Sequence, residues 1–256
     1  MSDTKRIALV TGASRKIGIG AAVCKALAAK GMDVAFTHWS PYDATMPWGK
    51  DSEAVADLLD ELRTSGARAT AIEADLTQPD SAAKILDAVE SELGAVSVLV
   101  NNATYSTNGD YTELDAAMLD AHYAVNMRGT FLLSVEFAKR FRGEHGRIIN
   151  LTSGQSLGPM SGELAYAATK GAVEAFTLSL AGGVAEKGIT VNAVDPGPTD
   201  TGWMGDNLKA LLASRTPQNR VGRPEDAARL IAFLAGEDAG WITGQIIHSN
   251  GGFGWR

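Results

Sequence analysis

Short apolar runs alternate with longer stretches of helical character along this chain. RIALVT (6–11) is apolar and ends at Gly12, and GIGAAVCKALAAK (18–30) has helical composition and stops at Gly31. MDVAFTH (32–38) is a second strand-like run. A charged amphipathic stretch over 51–65 ends before Gly66, and ARATAIEAD follows. A helix near 79–93 then leads into VSVLV (96–100). Helices are expected over roughly 113–141, a strand at RIINLTS (147–153), a long helix from 164 to 186 and a strand at ITVNAV (189–194). A loop-rich region (195–222) precedes the helix PEDAARLIAFLA (224–235) and the strand QIIHS (245–249).

Strands separated by helix-length segments indicate βαβ units. Strands that are apolar throughout, such as VSVLV, suit a parallel sheet covered on both faces, with right-handed crossovers. No repeat, low-complexity segment or linker interrupts the pattern. The expectation is an α/β fold: a single doubly wound domain over 1–256 with a parallel sheet of about seven strands flanked by helices.

Composition narrows the function. The 23 basic residues are outnumbered by 30 acidic ones, for a net charge of −7, which argues against a nucleic-acid surface. No apolar run is long enough to span a bilayer, and the first residues lack the apolar region of a signal peptide. Cys24 is the only cysteine, so no internal disulfide forms, which fits a reducing compartment. A cytoplasmic protein without a membrane partner is expected. His38, His122, His145 and His248 show no metal-ligand spacing, so no metal is expected in the chemistry.

The first strand runs into TGASRKIGIG. Glycine at such a turn lets backbone amides approach a pyrophosphate at the start of the next helix, the Rossmann arrangement. Gly12 serves the turn, while Gly18 and Gly20 open the helix. An NAD site usually has an acid at the end of the second strand. Here the positions read Thr37, His38 and Trp39, and the nearest later acid, Asp43, lies in what reads as a loop. Arg15 and Lys16 put positive charge in the glycine loop. The cofactor expected is therefore NADP, with NAD as the alternative.

By these residues the chain resembles the short-chain dehydrogenase/reductase family over nearly its whole length, and most the bacterial 3-oxoacyl-carrier-protein reductases. The family's glycine motif matches Thr11, Gly12, Gly18 and Gly20. Asp75 fits its adenine-contacting acid, and Asn101, Asn102 and Ala103 fit its Asn-Asn-Ala-Gly motif. Asn126 fits its helix asparagine, and Ser153, Tyr166 and Lys170 its catalytic serine and Tyr-x-x-x-Lys pair. Pro196 and Gly197 fit its Pro-Gly turn. The resemblance implies cofactor contacts at Gly12, Ser14, Arg15, Gly18, Ile19, Asp75, Leu76, Asn102, Ala103, Tyr166, Lys170, Pro196, Gly197, Thr199 and Thr201. There are three departures. Lys16 and Ile17 read as a two-residue insertion, Thr104 replaces a glycine, and the stretch 39–51 is long for its place.

The resemblance also implies chemistry. Tyr166 would pass a proton to or from a carbonyl oxygen. Lys170, four residues on and on the same helix face, would favour the phenolate and hold the nicotinamide ribose. Ser153 would hold the substrate oxygen, and Asn126 a water in a relay with Lys170. Residues 154–162 and a lid at 198–222, carrying Trp203, Met204, Leu208, Leu211 and Leu212, would border the substrate. The apolar helices near 113–141 and 164–186 and the resemblance together imply a homotetramer. The reading is an NADP(H)-dependent oxidoreductase acting between a ketone and a secondary alcohol, with 3-oxoacyl thioesters among the candidates. The alternatives are a non-catalytic dinucleotide-binding redox sensor and a dehydratase or epimerase on the same fold.

Overall fold

The computed structural model describes residues 5–46 and 48–255. Seven parallel strands form one sheet: β1 (Ile7–Val10), β2 (Asp33–His38), β3 (Ala69–Glu73), β4 (Val98–Asn101), β5 (Gly146–Leu151), β6 (Ile189–Asp195) and β7 (Ile246–His248), in spatial order β3-β2-β1-β4-β5-β6-β7. The chain leaves β1 towards one edge, returns and builds towards the other. The order therefore reverses between β1 and β4, and ligands of such sheets bind at the carboxyl ends of the strands beside that point.

Period-2 alternation sends successive strand residues to opposite faces. Ala8 and Val10 join a core with Val34, Phe36, Val98 and Val100. It is covered by α1 (Ile19–Ala29), α3 (Ala54–Thr64) and α9 (Pro224–Leu234) through Val23, Leu27, Leu58 and Ile231. Ile7 and Leu9 join a second core with Leu99, Ile148 and Val191. It is covered by α4 (Ser81–Glu92), α6 (Thr130–Arg140) and α7 (Leu164–Val184) through Leu86, Val89, Leu133, Phe137 and Ala181. Both faces being apolar is what makes these strands read as continuous apolar runs.

Three segments differ from the sequence reading. The stretch expected as a loop over 39–51 holds a short helix, α2 (Ser40–Thr45), with a proline in its first turn, where a missing N–H costs nothing. Position 47 lies outside the described residues. Helical structure near 113–141 begins with α5 (Ala116–His122), passes through a π-helical stretch (Tyr123–Gly129) and continues as α6. The loop-rich 195–222 region contains α8 (Asp206–Ser214), which buries none of its residues. Among the described residues, no helix is long and apolar enough to cross a membrane.

Candidate active site

The turn after β1 is built by close approach of two backbones. Gly12 has φ +73°, and a Cβ there would lie 2.6 Å from Ala103 Cα. A Cβ on Gly20 would lie 2.6 Å from the Gly12 carbonyl oxygen. Thr11 Oγ1 accepts the N–H groups of Asn102 and Ala103, both at 3.0 Å. Asn102 Nδ2 returns bonds to the carbonyls of Thr11 (2.8 Å) and Gly12 (2.9 Å). Both Nδ2 hydrogens are thus spent latching the turn to the end of β4. Gly18 caps α1 without a side-chain bond, so the first-turn amides, starting at Ile19, are open to an anion. Ser14 is half-buried in the loop before them.

The inserted pair divides its work. Lys16 forms an ion pair with Asp57 of α3, while Ile17 packs against Gly202. Arg15 turns inward. Its Nη2 donates to Thr201 Oγ1 at 3.0 Å, and its guanidinium lies 4.2 Å from the Trp48 ring centroid. Its Nη1 is buried and has no hydrogen-bond partner among the described residues. Burial lowers the Arg15 pKa, opposed by the charges of Asp43 and Tyr42. Asp43, read from sequence as a loop residue, is instead buried in α2 just past β2 and accepts from Trp48 Nε1 at 3.1 Å. Sequence reasoning missed this return of the chain, for which the Ser-Pro helix start at 40–41 was the available signal.

At the carboxyl end of β5, Ser153 follows the strand and hydrogen-bonds the Tyr166 phenol. Tyr166 and Lys170 lie one turn apart on α7, with Lys170 Nζ 5.4 Å from the Tyr166 ring centroid. Burial pushes the phenol pKa up; the Ser153 bond opposes that, and the charges of Glu163 and Asp195 add to it. Lys170 is buried, pushed down to about 8 by desolvation, and donates to the Leu151 carbonyl at 2.8 Å. The expectation that Lys170 sets the phenol low is therefore not what the protein alone does: burial acts on both groups and favours their neutral forms.

Asn126 sits in the π-helical stretch, a feature frequent at functional sites. Its Oδ1 accepts from Tyr105 N–H (2.8 Å) and Thr104 Oγ1 (3.1 Å), and its Nδ2 donates to the Tyr105 carbonyl (2.9 Å) and Thr169 Oγ1 (3.0 Å). Four bonds fill both of its donors, so a water relay would need its main-chain carbonyl. Thr104, the departure from glycine, supplies one of the four.

The remaining candidates line the same strand ends. Asp75 closes its own turn through Thr77 N–H (2.9 Å) and Thr77 Oγ1 (2.7 Å), with Leu76 buried beside it. Pro196 and Gly197 follow β6; Gly197 has φ +61°, and a Cβ there would lie 2.4 Å from Asn250 Cβ. Thr199 Oγ1 donates to the Pro196 carbonyl at 3.0 Å. One pair went unread in the sequence. Buried Asp195 accepts from Gly197 N–H (2.8 Å) and meets His248 Nδ1 of β7 at 2.9 Å. Among the described residues, no group of three or more His, Cys, Asp or Glu is placed to hold a metal ion.

These residues suit a dinucleotide. Glycines leave a cradle that a Cβ would fill, helix amides face it, and a buried Arg15 N–H beside it lacks a partner among the described residues. Comparison with known proteins agrees. Residues 12–254 match the family model described as enoyl-(acyl carrier protein) reductase. An uncharacterized oxidoreductase of Bacillus subtilis, YjdA, is 51% identical over 97% of each chain. The 3-oxoacyl-(acyl-carrier-protein) reductase of Escherichia coli is 35% identical over 98% of each. A blue fluorescent protein from a metagenomic library, solved in complex with NADPH, superposes with a TM-score of 0.88 at 34% identity, covering 97% of this chain and 98% of its own. With its seven-stranded parallel sheet, glycine turn and Tyr-x-x-x-Lys helix, the chain belongs to the short-chain dehydrogenase/reductase family of nicotinamide-dependent oxidoreductases acting on carbonyl and alcohol groups.

Proposed function

We propose that this protein is an NADP(H)-dependent carbonyl reductase or alcohol dehydrogenase, with 3-oxoacyl thioesters the first substrate class to test. The carrying observation is the Tyr166 phenol, hydrogen-bonded to Ser153 and stacked one turn from Lys170 at the carboxyl edge of the sheet. The thioester class is supported by the name of the Escherichia coli relative.

The bound dinucleotide supplies or accepts the hydride. Ser153 Oγ holds the carbonyl oxygen beside the phenol. Tyr166 gives up its proton to that oxygen as negative charge builds there, breaking the phenol O–H and forming the alcohol O–H. Burial keeps the phenol protonated, which suits this direction. Lys170, as ammonium, stabilises the phenolate left behind and supplies the positive charge needed when the phenol must act as base. Asn126 holds the 104–105 backbone at the edge of the site. Residues 198–222 act as a lid: Trp203, Leu208 and Leu211 are substantially exposed and available to close over an apolar substrate.

Arg15 grips the 2′-phosphate with the N–H that has no partner among the described residues. A second reading, NAD(H), is favoured by Asp43, a buried acid in the helix that follows β2, the strand after which NAD sites usually carry an acid. Exposed Leu119, Tyr123, Leu132 and Leu178 on and between α5, α6 and α7 support assembly into a homotetramer. The one cysteine, Cys24, is buried and free, which fits residence in the cytoplasm.

A panel of ketones, 3-oxoacyl thioesters and secondary alcohols, each with NADPH or NADH and their oxidised forms, tests the function through nicotinamide absorbance. Turnover with NADPH is expected. Dinucleotide binding with no turnover on any carbonyl or alcohol would favour the sensor reading, since a sensor has no need of a phenol held on Ser153.

A further inference from the structure

Two groups of opposite charge meet at Trp48, Arg15 from the loop after β1 and Asp43 from α2, and they favour different cofactors. Arg15 suits a 2′-phosphate; Asp43 suits a free 2′-hydroxyl and repels a phosphate. Trp48 touches both. Its ring lies 4.2 Å from the Arg15 guanidinium carbon, and its Nε1 donates to Asp43 Oδ1 at 3.1 Å. The Trp48 contacts therefore engage the acid and seat the cation at once.

The position of α2, which carries Asp43, is fixed independently. Tyr42, on the same helix, accepts the Ser106 N–H and packs its ring 5.6 Å from that of Tyr105. Tyr105 is in turn held edge-on against buried His122 and by both main-chain groups to Asn126. The helix that presents Asp43 is thus tied, through Tyr105 and Asn126, to α7, which carries Tyr166. On the other side, Arg15 Nη2 is held by Thr201. With one face on an indole and one nitrogen on a threonine, the guanidinium has little freedom left, and its Nη1, without a partner among the described residues, is a donor held in a fixed direction. Buried donors are nearly always paired, and an anion from outside the chain is the partner that a buried cation takes most readily.

We propose that Trp48 is the cofactor-selecting residue of this protein: by stacking on Arg15 it presents the guanidinium to a 2′-phosphate, and by hydrogen-bonding Asp43 it withholds the acid from a 2′-hydroxyl. The inference rests on the NADP(H) reading given above. It goes further in assigning the preference to a residue far outside the glycine loop, in the stretch that is long for its place in the family. Trp48 is a positioning residue: it acts through Arg15 and Asp43.

The test is the affinity of NADPH and NADH for the purified protein, measured by calorimetry without substrate. Trp48→Leu keeps an apolar side chain but removes the stacking face and the donor. The NADPH-over-NADH preference is expected to fall about 3- to 30-fold, the range of a cation–π contact, with NADH affinity unchanged or improved. Trp48→Phe keeps a ring over Arg15 and should lose less of the preference than Trp48→Leu. In an Arg15→Ala background, Trp48→Leu should weaken NADPH less than it does in wild type, because the stacking arm is already lost and only the release of Asp43 remains. Equal weakening of both cofactors by Trp48→Leu, an equal loss in Trp48→Phe, or full additivity with Arg15→Ala would each overturn the selector role. A wild-type protein that prefers NADH would instead overturn the NADP(H) reading itself. A wild type that prefers NADPH through Arg15 but ignores Trp48 would overturn only this inference.

Discussion

Asn126 holds Tyr105 by both of its main-chain groups, taking the N–H on Oδ1 at 2.8 Å and giving Nδ2 to the carbonyl at 2.9 Å. Asn126 is buried, and Thr169, next to Lys170 in sequence, takes its other amide hydrogen. One amide thereby ties the loop after β4 to the helix that carries Tyr166. Replacing it leaves partly buried polar groups unpaired, at about 1–3 kcal/mol each. Asn126→Leu should lower the melting temperature clearly and reduce kcat. Thr104→Gly removes a single donor to the same oxygen and should cost about 0.5–1.5 kcal/mol. Thermal melts of the two variants check the order; a Thr104→Gly loss as large as that of Asn126→Leu would contradict the clamp.

The sheet was legible because its strands are buried on both faces. Ile7–Val10 and Val98–Asn101 bury every residue, so no polar alternation obscures them. Gly12 was legible for the same kind of reason: only glycine fits a positive φ against Ala103. Tyr166 and Lys170 share a face at any helical spacing of four. The rest depended on contacts between segments distant in sequence. Asn102 reads as a ligand but spends its donors on Thr11 and Gly12. Lys16 and Arg15 are adjacent and equally charged, yet one meets Asp57 on α3 and the other Trp48. The π-helical stretch leaves no periodic mark, because one wide turn hardly shifts the apolar pattern. The Asp195–His248 pair joins β6 to β7 across 53 positions and has no local signature.

Asp195 provides a pH test. Burial is the main cause that raises the Tyr166 phenol, and the negative charge of Asp195 adds to it. Asp195→Asn removes that charge and should lower the phenol pKa. Alcohol oxidation needs the phenolate as base, so its rate rises with pH through this titration. The rising limb should move to lower pH in Asp195→Asn. Rate profiles of the two proteins check this; a limb that stays or moves up would show that Asp195 does not act on Tyr166.

Lys170 is buried at a cost in stability. Burial pushes it from 10.5 down to about 8, which corresponds to about 3 kcal/mol against the charged form. Below pH 8 both folded and unfolded chains carry the proton, and the folded one bears the full cost. Between 8 and 10.5 the unfolded chain keeps a proton that the folded one has released, so stability from this group rises with pH. Lys170→Met removes the charge and also the bond to the Leu151 carbonyl. It should be at least as stable as wild type at pH 7 and lose that advantage by pH 10, while turnover falls sharply. Denaturant melts at the two pH values check the crossover; a variant much less stable at pH 7 would contradict it.

The central claim is that the Tyr166 phenol transfers the proton, and Tyr166→Phe tests it most directly. The ring and its packing on α7 stay, while the hydroxyl held by Ser153 goes. Turnover of a carbonyl substrate and dinucleotide affinity should be measured on the same preparation. Turnover is expected to fall at least about 100-fold, the lower end for loss of general acid–base catalysis, with dinucleotide binding retained. Turnover close to wild type with binding intact would contradict the account.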